Sequence, residues 1–169
     1  MRMTVPWPIV RTLARLVLGG VLIAAGASKL TDPDGSVRAV RAYRLLPDSL
    51  ERVIGYGLPP LEIVVGLLLV VGLATRLSAV IAGVLMLAFA AGVASAWARG
   101  LQIDCGCFGG GGEVSGDQSG TYALEIARDV GLLVLAAALV RWPDSRWSLD
   151  AVLLGPTVPT EPHDQEIRT

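Results

Sequence analysis

Two cysteines, Cys105 and Cys107, are the only ones among 169 residues, and a single glycine separates them. Three kinds of chemistry fit such a unit. The first is part of a soft-metal site. Structural zinc asks for four nitrogen or sulfur ligands, and the sole histidine, His163, lies far away near the C-terminus. No metal is therefore expected of this chain alone, although a copper half-site or a site shared between chains stays open. The second is a reversible dithiol/disulfide. A disulfide needs Cα atoms about 4.4–6.8 Å apart, which cysteines two positions apart reach only where the chain bends sharply, as Gly106 allows. The resulting ring is small and strained, and strained exposed disulfides tend to be catalytic or regulatory. Closing so short a loop removes little unfolded-state entropy, which argues against a purely structural bridge. The run Gly109-Gly110-Gly111-Gly112 leaves room for another protein's cysteines to approach. The third reading is two inert small residues. The redox reading is the preferred one, and the activity it would carry is thiol–disulfide exchange.

Charged residues inside apolar segments come next, because a charge in a membrane-helix centre is costly and usually functional. Lys29, Glu62, Glu125, Arg128 and Asp129 are such residues. Antiparallel spans would gather Lys29, Glu62 and Arg128 at the same membrane face as the cysteine loop. A cation near a thiol lowers its pKa and promotes exchange. Arg128 or Lys29 is therefore expected to activate the dithiol, with Glu62 pairing with one of them. Glu125 and Asp129 are expected only to lock the helices together, Glu125 having Arg128 within ion-pair spacing on the same helix.

The elements that must position these groups are membrane helices. The chain is 53% hydrophobic and 17% charged, against about 25% charged in ordinary soluble domains, and its mean hydropathy is +0.59. A net charge of −1 gives no reason to expect a nucleic-acid partner. Four segments, at about 13–30, 58–75, 77–98 and 122–140, meet the spanning requirement of roughly 18 apolar residues. Inside lipid each backbone N–H must be paired within its own segment, so helices are the expected form. The first segment also has features of a signal peptide, with Arg2, Arg11 and Arg15 ahead of Ala25-Gly26-Ala27. It runs on into Ser28-Lys29-Leu30 without a polar start, which favours an uncleaved span.

The fold class expected is all-α, an integral membrane four-helix bundle with a short amphipathic helical loop between helices 1 and 2. In that loop Val37, Val40 and Tyr43 recur at helical spacing beside Arg38, Arg41 and Arg44, a pattern that suits a helix lying on the membrane surface. Pro47 should end it, with a second short turn starting at Ser49 before Pro59-Pro60. Spans two and three are joined by almost nothing and should form a tight antiparallel hairpin, eased by Gly57, Gly66, Gly72, Gly83 and Gly92. Residues 1–142 form the transmembrane domain and 143–169 a polar, disordered tail.

The chain resembles the DoxX-like membrane proteins and, within them, the MauE (methylamine utilisation) branch. The resemblance rests on Gly26-Ala27-Ser28-Lys29-Leu30, Tyr43-Arg44-Leu45-Leu46-Pro47, Leu58-Pro59-Pro60-Leu61-Glu62, Cys105-Gly106-Cys107-Phe108-Gly109 and Arg128-Asp129-Val130-Gly131. It implies a four-helix bacterial membrane protein that assists disulfide formation or electron transfer during maturation of an exported enzyme. The partners expected are membrane lipid and an exported thioredoxin-like or substrate protein. No cofactor is evident; a quinone is the candidate acceptor if the pair discharges its electrons directly, because no second cysteine pair exists for a relay. The contrasting reading is a non-enzymatic scaffold or subunit of an oxidoreductase complex.

The location expected is the bacterial plasma membrane, in several passes. Basic residues divide equally between the two sides, so the positive-inside rule does not select an orientation. An N-terminus in the cytoplasm is chosen because it places Cys105 and Cys107 on the oxidising face, where disulfides persist. A membrane-impermeant maleimide added to intact spheroplasts should then label both cysteines after reduction, without permeabilisation; protection until detergent is added would reverse the orientation.

Overall fold

The computed structural model describes residues 7–107 and 110–142. Its elements run α1 (Trp7–Leu30), α2 (Pro33–Ala42), α3 (Asp48–Val71), α4 (Thr75–Ala98), β1 (Ile103–Asp104), β2 (Gly112–Glu113) and α5 (Ser119–Arg141). Three helices are long and apolar enough to cross a membrane, covering Ile9–Leu30, Asp48–Val71 and Thr75–Ala98. The fourth expected span corresponds to α5, which has the length but carries Glu125, Arg128, Asp129 and Arg141. The expected tail, residues 143–169, lies outside the described residues.

Local chemistry explains the boundaries. Asp32 caps α2, accepting the Gly35 N–H at 2.9 Å, and Pro33 follows at a position where its missing N–H costs nothing. Gly72 ends α3 in a left-handed conformation, φ 76°, and its N–H returns to the Leu68 carbonyl. The expected break before Pro59-Pro60 does not occur. Both prolines lie inside one continuous 24-residue helix. The segment 48–57, expected to hold only a short turn starting at Ser49, forms the first turns of α3, with α2 packed on it. There Val37 meets Gly55 so closely that a Cβ on Gly55 would stand 2.7 Å from the Val37 backbone. The short helix expected between the first two spans is present as α2, and Val37, Ala39 and Ala42 on it are buried against the protein.

The helix pairing also differs from expectation. The closest partnerships are α1 with α3 and α4 with α5, while α3 and α4 touch much less despite their short connection. The reason is visible in α1. A Cβ on Gly19 would lie 2.8 Å from the Gly66 carbonyl oxygen, and one on Gly66 would lie 2.7 Å from the Gly19 carbonyl. Backbone meets backbone there, as small residues permit in membrane helices. Gly66 thus serves α1 and not the α3–α4 hairpin. Leu18, Leu22, Val65, Leu69, Met86, Leu132 and Leu139 fill the shared core. Large aliphatic side chains such as Val84, Leu87 and Val134 face outward, a surface suited to lipid.

Replacing Gly66 by leucine should force α1 and α3 apart. Overpacking of this kind costs about 1–3 kcal/mol, read as a lower Tm of the detergent-solubilised protein. Gly57→Ala, where nothing lies within 4 Å, should leave Tm unchanged and serves as the control.

Candidate functional site

The cysteine loop is held by a two-stranded antiparallel hairpin, with Ile103 opposite Glu113 and Asp104 opposite Gly112. Buried Tyr122, on the first turns of α5, anchors it. Its hydroxyl accepts the Ile103 N–H at 2.8 Å and points its own hydrogen at the carbonyls of Leu101 and Ile103, 2.8 and 2.9 Å away. On the other side, α2 presses on the loop. Gly106 has φ 67°, and a Cβ there would stand 2.5 Å from the Ala39 side chain; only glycine meets both demands. The Gly106 N–H donates to Asp104 at 2.9 Å and the Cys107 N–H to Cys105 Sγ at 3.3 Å. Tyr43, from the end of α2, donates its hydroxyl to the Cys105 carbonyl at 3.3 Å. The surroundings of Tyr43 hold its phenol above the ordinary range, burial first and the neighbouring thiols second, so it stays a proton donor.

Both thiols are free, Cys105 half-buried and Cys107 buried. They hydrogen-bond to each other. The Cys105 S–H also faces Glu125 Oε1 at 2.8 Å, so its one proton has two competing acceptors. The hydrogen bond from Cys105 pulls the Cys107 thiol below its ordinary range, against the opposing effect of burial and with further help from the Arg128 guanidinium. Cys105 is pushed upward, first by its hydrogen bond to Cys107 and then by burial. The pair loses its first proton from Cys107 and keeps the second on Cys105.

Behind the loop lies a buried charge cluster. Lys29 Nζ contacts Glu62 Oε1 at 2.6 Å, with both side chains almost wholly enclosed. The same ammonium sits 5.1 Å from the centre of the Phe89 ring. Arg128 pairs with Asp129 at 2.8 Å, and Asp129 is fully buried. A void of about 20 Å³ is lined by Glu62, Cys107, Arg128 and Asp129 among others. Among the described residues, one further oxygen each on Glu62, Glu125 and Asp129 has no hydrogen-bond partner.

The structure therefore brings Cys105, Cys107, Lys29, Glu62 and Arg128 into one region, beside the last turn of α1 and the middle of α3. Lys29 contacts Glu62, while Arg128 stands beside Cys107. Sequence reasoning set Glu125 aside as a bundle lock, yet its carboxylate touches a thiol. The signal was its helical spacing to Arg128 and Asp129, which places all three on neighbouring faces of α5. Tyr122 was also missed, and no spacing in the sequence marks it. Among the described residues no group of three or more His, Cys, Asp or Glu side chains is arranged to hold a metal ion.

Alkylation of the reduced protein by iodoacetamide, read site by site by peptide mass spectrometry, should show Cys107 reacting first as pH rises. Arg128→Gln should raise the Cys107 midpoint by about one pH unit, since a nearby cation favours the thiolate, and Arg128→Lys should restore most of it.

A family model described as methylamine utilisation protein MauE matches residues 7–142. The methylamine utilization protein MauE of Paracoccus denitrificans is 41% identical over 105 residues, covering 62% of this chain and 56% of that relative. Its counterpart from Methylorubrum extorquens is 35% identical over 133 residues, covering 78% of this chain and 69% of the relative. No solved structure matches.

Proposed function

Since the chain belongs to the MauE family of methylamine utilisation proteins, we propose that it is a membrane thiol–disulfide redox protein serving an exported partner in that process. The observation that carries the reading is the asymmetric setting of two adjacent thiols, Cys105 against a carboxylate and Cys107 beside a guanidinium. A simple packing role would not require that asymmetry.

The exchange proceeds as follows when Cys105 and Cys107 are joined. A partner thiolate attacks the more accessible Cys105 sulfur. A partner–Cys105 bond forms, the Cys105–Cys107 bond breaks, and Cys107 leaves as a thiolate favoured by Arg128. Lower-pKa thiols leave faster. The partner's second thiolate then attacks its own sulfur in the mixed disulfide, closing the partner's disulfide and releasing Cys105, which is reprotonated beside Glu125. The partner dithiol loses two electrons and the pair gains them. In the opposite direction Glu125 accepts the Cys105 proton as Cys105 attacks a partner disulfide.

The membrane setting follows the same reading. In α5, Leu124, Val130 and Val134 are exposed while Asp129 is buried, so this carboxylate turns toward the protein and the outer face suits lipid. That arrangement supports α5 as a fourth span; the orientation proposed, with a cytoplasmic N-terminus, rests on placing the cysteine loop on the oxidising face, where disulfides persist.

Cys107→Ser should trap a mixed disulfide through Cys105, visible by non-reducing electrophoresis with glutathione or an exported dithiol protein, and Cys105→Ser should trap far less. Equilibration of the unaltered protein in glutathione buffers should give a reversible two-electron transition. Thiols that stay reduced across all buffers would make a scaffold role the better account.

A further inference from the structure

A cavity of about 350 Å³ opens beside the cysteine loop, and both Cys105 and Cys107 line it. This volume lies within the usual range for small-molecule sites, which are largely apolar with a few placed polar groups. The walls are mostly aliphatic, with Leu58 and Pro59 from α3, Leu85 from α4, and the Phe89 ring. Three polar side chains line it, Lys29, Ser36 and Tyr43; the Ser36 and Tyr43 hydroxyls donate to the Lys29 and Cys105 carbonyls. Lys29 has three N–H donors, one of them directed at Glu62. Lining residues that also reach the surface, Leu45 and Ile54, are aliphatic. Ile54 belongs to a helix apolar enough to span the membrane, so the cavity's approach favours a lipid-soluble molecule over a water-soluble peptide.

The cysteine inventory narrows the occupant further. With only two cysteines, electrons taken from a partner cannot pass to a second pair within the chain. An acceptor reaching both sulfurs from the membrane side must enter this cavity. An acyl chain would fill the walls but has no use for two thiols.

We infer that the cavity beside Cys105 and Cys107 is a quinone site, in which the reduced pair hands two electrons to a membrane quinone. The inference rests on the dithiol reading above. Two S–H bonds break and one S–S bond forms between Cys105 and Cys107. The electron pair moves to the quinone ring and the two protons finish on its two oxygens. Dithiol plus quinone gives disulfide plus quinol, with no other reactant. Lys29, with N–H groups beyond the one directed at Glu62, is the donor placed to meet a ring oxygen, and the Phe89 ring offers an apolar aromatic surface.

The test uses the full chain in lipid nanodiscs, fully reduced, freed of reductant and mixed anaerobically with decylubiquinone. The expected result is one quinol formed per chain, lost in Cys105→Ser and in Cys107→Ser. Ala88→Trp, which projects bulk into the cavity from a surface-reaching position on α4, should slow quinol formation about tenfold or more, because displacement of reacting groups by about 1 Å already costs that much. The same variant should exchange with glutathione at the unaltered rate. Normal glutathione exchange without quinol formation, or with only a tightly co-purifying phospholipid in the cavity, would overturn the quinone site and leave the dithiol reading standing. An Ala88→Trp protein that reduces quinone at full rate would also overturn it. Failure of glutathione exchange in the unaltered protein would remove both readings together.

Discussion

The Lys29–Glu62 ion pair is the constraint on which the rest of this architecture hangs. Two opposite charges enclosed between apolar helices cannot separate without leaving at least one uncompensated, a loss that commonly runs to about 3–5 kcal/mol when one partner is removed. The pair joins the last turn of α1 to the middle of α3, which fixes how far one helix slides along the other. The close Gly19–Gly66 approach then follows at the matching depth. Because Glu62 sits mid-helix, the first turns of α3 project beyond the end of α1. That projection is the platform on which α2 folds back, and α2 in turn shapes the cysteine loop through Ala39.

Electrostatics in this end of the molecule are arranged as two pairs, not as a line. Lys29 is matched by Glu62 and Arg128 by Asp129, and Cys107 borders the small void between them. A thiolate forming there meets a region already neutralised pair by pair, with the Arg128 guanidinium nearest to it. The carboxylate facing Cys105 comes from the same helix as Arg128, one turn earlier. One short stretch of α5 therefore supplies both the group that takes a proton and the group that stabilises an anion.

Much of this was legible in the sequence, for a physical reason: lipid tolerates so few charges that the exceptions stand out. Lys29, Glu62 and Arg128 were visible as anomalies inside apolar runs, and antiparallel chain direction was enough to bring them near the cysteines. The early turns of α3 were legible only as a short turn starting at Ser49. Gly55, Gly57 and three charged residues in 48–57 argue against a long helix there, and the packing of α2 on that stretch accompanies its continuous helix. The β1–β2 hairpin was equally hidden, since two-residue strands carry no alternation to detect. The helix partnerships were misjudged because a short connection implies neighbours in space but says nothing about how intimately they pack; Gly66 had its closest contact on α1. Glu125 was undervalued because its helix neighbours suggested an ion pair, while the thiol that it meets comes from a loop twenty residues earlier.

The unequal packing has a mechanical side. α1 and α3 are keyed together by backbone contact and a buried ion pair, and α4 and α5 by their own close interface, while the two pairs meet each other more lightly. The molecule is in effect two stiff blocks with a compliant joint. The cavity beside the cysteine loop lies along that joint, taking Lys29, Leu58 and Pro59 from one block and Leu85, Phe89 and Gly92 from the other. A small slip of block against block would widen or pinch the cavity without unwinding any helix, because its two walls belong to the two different pairs.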